Sequence, residues 1–210
     1  MNNKPKSQRK IHYWYIVGPI LVLPCLLVLL DIACEVVNRP MKGADIEFSI
    51  DELGINQNST MPELTEVATE LAHNWQQTAY LHSVSLVLMC DGTPRGGRFV
   101  FVANKKFLWH KRQAVAYVYI NFEKGTVKMR VDDVNDAGPP DSRLHLDELE
   151  MDIKRVLTKA DAKIDTPFRE NNPDCEITAE LKDDIWRIYY SRPGSPMIDD
   201  LRITVNTRRE

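Results

Sequence analysis

Between Trp14 and Leu30 the chain reads WYIVGPILVLPCLLVLL without one charged side chain, and counted from Ile11 the apolar run is 20 residues long, interrupted only by His12. A helix of about 20 residues crosses a hydrocarbon layer of roughly 30 Å. Residues 14–30 include 11 Ile, Leu and Val. At roughly −0.3 to −0.6 kcal/mol each on an insertion scale, these contribute on the order of −3 to −7 kcal/mol. Pro19 and Pro24 are compatible with such a segment, because membrane helices tolerate proline better than soluble ones. Tyr13, Trp14 and Tyr15 form an aromatic cluster suited to the headgroup level, and Leu30 closes the apolar run at its far end. Residues 11–31 are therefore expected to form a transmembrane anchor helix, held through contact with membrane lipid.

Charge sets the expected orientation. Residues 1–10 carry Lys4, Lys6, Arg9 and Lys10 and no acid, so this basic tail is expected to stay cytoplasmic and the C-terminal part to lie outside. Removing those four bases and Asp31 from the 27 basic and 30 acidic residues leaves 23 against 29 for residues 32–210, a net charge of −6. That balance carries no electrostatic footprint for nucleic acid. A cleaved signal peptide fits less well, since the apolar run exceeds the usual 7–15 residues and no clean small-x-small site follows it. A lipidated Cys34 fits less well too, because Asp31 stands where a lipobox needs an aliphatic residue.

Residues 32–59 read as a juxtamembrane tether punctuated by Pro40, Gly43 and Gly54. Ile46, Phe48 and Ile50 alternate there, which permits a short strand. Asn58-Ser59-Thr60 matches a glycosylation acceptor pattern, which matters only in a eukaryotic secretory pathway. A helix is expected next. Thr60 and Glu63 form a capping box, Pro62 sits in the first turn, and Leu64, Val67, Ala68, Leu71, Ala72, Trp75 and Ala79 follow at spacings of three and four.

Period-two segments come after it. Strands are expected over 84–90, 98–103, 114–122 and 126–131, with Asp91 to Gly97 and Glu123-Lys124-Gly125 as turns. Residues 60–132 thus make a helix plus a four-strand unit. After a polar linker at 133–145, residues 146–210 make a second unit. Its helix carries Leu146, Leu149, Ile153, Val156, Leu157, Ala160 and Ile164 on one stripe, with Asp147 and Glu150 placed as cap and partner. Its three strands are centred on Ile177, Ile188 and Ile203, with a turn at Asp183-Asp184. The polar outer faces suit antiparallel sheet with one wet side. The expected fold class is α+β, a transmembrane helix followed by two helix-plus-antiparallel-strand units, and the pattern leaves open whether they share one core.

In the segment Ala114 to Asp132, AVAYVYINFEKGTVKMRVD, a strand, a glycine-bearing turn and a second strand end at an acid. This resembles a PepSY hairpin, and the helix-then-strands order over 60–190 resembles the PepSY-like and cystatin-like families. The resemblance implies a non-enzymatic extracytoplasmic module that binds or regulates other proteins.

The search for chemistry finds little. His12, His73, His82, His110 and His145 show no HExxH or HxxxH spacing and no adjacent cysteine pair, so no metal site is expected. G-x-S-x-G is absent. Gly92, Gly96 and Gly97 precede no Lys-Ser/Thr, and a hairpin turn accounts for them. No cofactor is expected, and the chain does not read as an enzyme. Of Cys25, Cys34, Cys90 and Cys175, the last two either pair outside the cell, closing a loop of about 85 residues that stabilises by roughly 4 kcal/mol, or remain two separate thiols on apolar strand faces. The candidate contact surface is a basic loop carrying aromatics: Lys105, Lys106, Phe107, Trp109, His110, Lys111 and Arg112. Such a loop suits a polyanion or an acidic partner; the alternative is that Phe107, Leu108 and Trp109 plug the core while the bases stay solvated. Two functional expectations follow: a membrane-tethered binding or regulatory module with a protein partner, or a structural subunit of an envelope complex whose anchor helix packs against partner helices.

Overall fold

The structure is a computed structural model describing residues 24, 26–30, 46–107, 110–134, 143–145, 151–164, 168–192 and 201–206. The chain forms two compact units, 1–40 and 41–210. In the first, Pro24 and Leu26–Leu30 are helical, and all five residues of 26–30 are exposed. No helix among the described residues is long and apolar enough to cross a membrane. Most of the apolar run, including Tyr13, Trp14 and Tyr15, lies outside the described residues.

The second unit is built on one antiparallel sheet of eight strands in the order β1-β5-β4-β3-β2-β6-β7-β8. Its strands are β1 (Ile46–Ser49), β2 (Tyr80–Met89), β3 (Pro94–Phe107), β4 (His110–Asn121), β5 (Thr126–Val134), β6 (Glu176–Lys182), β7 (Ile185–Ser191) and β8 (Arg202–Asn206). The helices are α1 (Met61–Trp75), α2 (Ile153–Asp161) and the single turn α3 (Phe168–Asn171). α1 begins at the capping box: Thr60 N donates to Glu63 Oε2 at 2.6 Å, and Glu63 N donates to Thr60 Oγ1 at 3.5 Å. Two of the orphan amides of the helix start are thereby satisfied. Leu64, Ala68, Leu71 and Ala72 are its buried stripe. α2 is capped instead by Asp152, whose carboxylate accepts from Lys154 N at 2.9 Å. Asp147, Glu150, Leu146 and Leu149 lie outside the described residues.

The two helix-plus-strand units share one core. Val84, Leu86 and Leu88 of β2 join Ile177, Ala179 and Leu181 of β6 in a single buried cluster that also holds Phe99, Phe101, Trp186, Ile188 and the stripes of α1 and α2. The fusion is the β2–β6 ladder, in which Val84 faces Leu181, Leu86 faces Ala179 and Leu88 faces Ile177. Each unit runs from a capped helix to a meander whose first strand lies at the centre of the sheet. The spacing from N-cap to the end of that first strand agrees to within one residue, Thr60 to Met89 and Asp152 to Lys182. An approximate twofold therefore passes through the Leu86–Ala179 pair, the middle of the ladder.

Three boundaries differ from the sequence reading. The tether is not wholly outside the domain: Ile46 to Ser49 pair with Met129 to Thr126 of β5, so the alternation at 46–50 is a sheet edge. Gly96 and Gly97 are not in a turn but inside β3, facing Asn121 and Ile120 of β4. A Cβ on Gly96 would stand 2.5 Å from the Ile120 carbonyl oxygen, so the glycine allows a close approach of backbones. Of the expected loop 105–112, the described residues are strand: Lys105, Lys106 and Phe107 face Arg112, Lys111 and His110 in the β3–β4 ladder. Strand-poor side chains there were overridden by backbone pairing, which satisfies each amide whatever its side chain. The β6–β7 turn is as expected, with Asp183 and Asp184 both left-handed at φ 54° and 57°, the geometry of a two-residue hairpin.

Gly96→Ala is expected to lower the stability of the domain by about 1–3 kcal/mol, read as a lower urea midpoint. Gly125→Ala serves as comparison, since a Cβ there meets nothing within 4 Å and only its φ of 63° resists substitution.

Candidate functional site

The β2–β6 ladder ends at Met89 facing Glu176. The next position on each strand is a cysteine, and the structure joins Cys90 and Cys175 in a disulfide across 85 residues with a Cα–Cα separation of 4.9 Å. Both are buried. On a chain-entropy argument a loop of this length is worth roughly 4–5 kcal/mol.

A polar network surrounds the bridge. Arg169 Nε donates to the Cys90 carbonyl at 2.6 Å, and its NH1 donates to Asp161 Oδ2 at 2.9 Å. Tyr190 donates its hydroxyl to Asp161 Oδ1 at 2.7 Å. Asp161 closes α2, Arg169 lies in α3 and Tyr190 in β7, so three elements converge on the turn after β2. Phe168 packs against the Tyr190 ring at 5.6 Å between centroids. Burial, and then the Asp161 hydrogen bond, push the Tyr190 hydroxyl far above its ordinary range. It is a fixed donor, not an acid or a base. Asp91 is held below the usual carboxylate range, first by the Thr93 backbone amide at 2.8 Å, then by the Thr93 side chain.

Beside the network lies an open groove of about 530 Å³ lined by residues that include Asp91, Asp161, Ile164, Phe168, Arg169 and Glu170. Its chemistry is limited by its bonding. Both Asp161 oxygens accept hydrogen bonds, and Arg169 is used twice. The groups that hold the wall are thus tied to one another. The residue string singles out none of Tyr190, Asp161 and Arg169. No local motif marks them, because they meet across 29 residues of chain and through a four-residue helix.

The other expected sites lie elsewhere. Lys105, Lys106, Phe107, His110, Lys111 and Arg112 stand at the end of the β3–β4 hairpin, and Trp109 lies outside the described residues. The β2 partner of β3 ends at Val102, and the β5 partner of β4 ends at Gln113. Among the described residues, this end of the hairpin therefore runs beyond both flanking strands. His73 Nε2 donates to the Ala79 carbonyl at 3.0 Å. His145 lies 3.1 Å from Asp184 Oδ2 through Nδ1. No group of three or more His, Cys, Asp or Glu able to hold a metal ion occurs among the described residues.

No protein-family model, no curated protein and no solved structure matches this chain.

Replacing both bridge cysteines, Cys90→Ala with Cys175→Ala, is expected to lower unfolding free energy by about 2–5 kcal/mol, measured by urea titration against the oxidised parent. Tyr190→Phe is expected to remove about 1–3 kcal/mol at neutral pH. It also changes the alkaline limb. A raised folded-state pKa gives stability that is fully present below the unfolded tyrosine value of about 10 and is lost as pH rises above it. The parent should thus lose stability above about pH 10, and the phenylalanine variant should lose less over the same range.

Proposed function

We propose that the chain is a single-pass, membrane-anchored, extracytoplasmic module that binds or regulates another protein and catalyses no reaction. The observation that carries this reading is the Cys90–Cys175 disulfide. Structural disulfides persist in oxidising compartments, and the basic residues before the apolar run assign the C-terminal domain to the outer side by an independent argument. The apolar run at 11–30 supports the anchor by its length and its lack of charge.

Two further features support binding over turnover. Asp161, Arg169 and Tyr190 beside the groove are engaged with each other and with the Cys90 carbonyl, so the network braces α2, α3 and the bridge. At the β3–β4 hairpin end four cationic residues, Lys105, Lys106, Lys111 and Arg112, are adjacent in register.

In-cell crosslinking of the full-length protein tests the reading. A discrete partner band is expected, and it should disappear when residues 105–112 are changed to Ala and Ser. Protease added outside intact cells should remove 41–210 and leave a tag on residue 1 protected. Crosslinks to lipid alone, or a domain shielded from outside protease, would overturn the proposal.

A further inference from the structure

The face of the sheet opposite α1 and α2 carries the residues that alternate with the core series. Register places Lys128, Tyr119 and Arg98 side by side on β5, β4 and β3, with Arg130 and Tyr117 in the next row and Val100 beside them. Tyr117 and Tyr119 stack at 6.1 Å between centroids and 22° between planes, and Tyr119 is 39% exposed. Beside them on the same face Val100, Val102 and Val115 are buried, with Tyr80 and Tyr117 packed against that small cluster. The exposed part of the face therefore lies toward Arg98 and Tyr119. At the other side of the sheet, Arg202 lies 5.6 Å over the Tyr189 ring.

Charge on this face runs against the charge of the domain. Arg98, Lys128, Arg130, Lys182, Arg187 and Arg202 are opposed by Glu47, Asp132 and Glu180; at the rim Arg95 is met by both Glu176 and Glu123 at 3.2 Å and Arg187 by Asp183 at 3.9 Å, so the face and its rim hold seven bases against six acids. Residues 32–210 as a whole are net negative. Lys128 is met by Glu47 at 3.0 Å and Arg130 by Asp132 at 3.3 Å. Arg98 and Lys182 have no ion-pair partner among the described residues. Five strands from β5 to β6 span about 20 Å at ~4.8 Å spacing. That is wider than a Debye length of about 8–10 Å, so a partner close to the face senses the local sign.

We propose that the exposed part of this sheet face, centred on Arg98, Tyr117 and Tyr119, docks a compact acidic patch on a partner protein. The proposal rests on the binding-module reading and names the chemistry of its partner. Tyrosine and arginine are the residue types that dominate interface energetics. Compactness follows from the charge map: a long polyanion overrunning the patch meets the acidic remainder of the domain, whereas a confined acidic patch does not.

Full-length protein in neutral detergent micelles, titrated with an octaglutamate peptide and followed by amide NMR shifts, tests this. Shifts should concentrate on Arg98, Tyr117, Tyr119 and Lys182. They should weaken about tenfold in apparent affinity when salt is raised from about 20 to about 200 mM. Arg98→Glu with Lys182→Glu should abolish them. Arg98→Ser alone should weaken them, and Lys154→Glu with Lys159→Glu on α2 should leave affinity within about twofold. Shifts spread over both faces, no shifts at millimolar peptide, or larger shifts from dextran sulfate at equal charge would overturn the proposal. None of those outcomes removes a crosslinked partner in cells, so the broader reading would fail or stand by its own experiment.

Discussion

The pairing of β2 with β6 decides what kind of molecule residues 41–210 make. Each helix-plus-meander unit has an apolar sheet face too narrow to bury by itself, and each would leave its first strand as an unpaired edge. Joining those edges along Ser83–Met89 and Lys182–Glu176 makes one eight-stranded sheet. It also brings the stripes of α1 and α2 into one core. Two half-domains that would each be marginal at this size become one cooperative body. The disulfide is the covalent continuation of the same ladder, set at the position where backbone pairing stops.

Everything near the groove follows from that junction. Arg169 reaches the Cys90 carbonyl because the bridge holds the turn after β2 against the start of β6. Asp161 then ties Arg169 and Tyr190 together, so the end of α2 is fixed relative to β7. On the opposite face Arg98 and Tyr119 are exposed, and Tyr117 packs against the buried valine cluster beside it, which restricts that ring's freedom.

What the residue string made legible was the local physics. The Thr60–Glu63 box, the stripe from Leu64 to Ala72 and the two-residue Asp183-Asp184 turn each depend on neighbours a few residues away, and each appears in the structure. What it left dark depends on distant pairing. Ile46 to Ser49 become a strand only because β5 lies beside them. Lys105 and Lys106 are in a ladder because Arg112 and Lys111 return opposite them, although neither type favours strands. Gly96 looks like a turn residue until the Ile120 carbonyl is placed against it. The alternation that put Cys90 and Cys175 on inner faces permitted a bridge without choosing it; the β2–β6 register makes that choice.

The central position of β2 carries a consequence for assembly. During synthesis β2 to β5 are complete long before β6 exists, and the separation between Ser83 and its partner Lys182 is a large loop to close. Throughout that interval the free edge of β2 presents Val84, Leu86 and Leu88 beside unpaired amides, an adhesive template for any passing strand. Because the approximate twofold makes β2 and β6 equivalent in direction and spacing, a nearby nascent copy offers a competing mate for that edge. The Cys90–Cys175 bridge lies at the end of that ladder, so it can close only after β2 and β6 have paired in register, and it then holds the pairing against exchange.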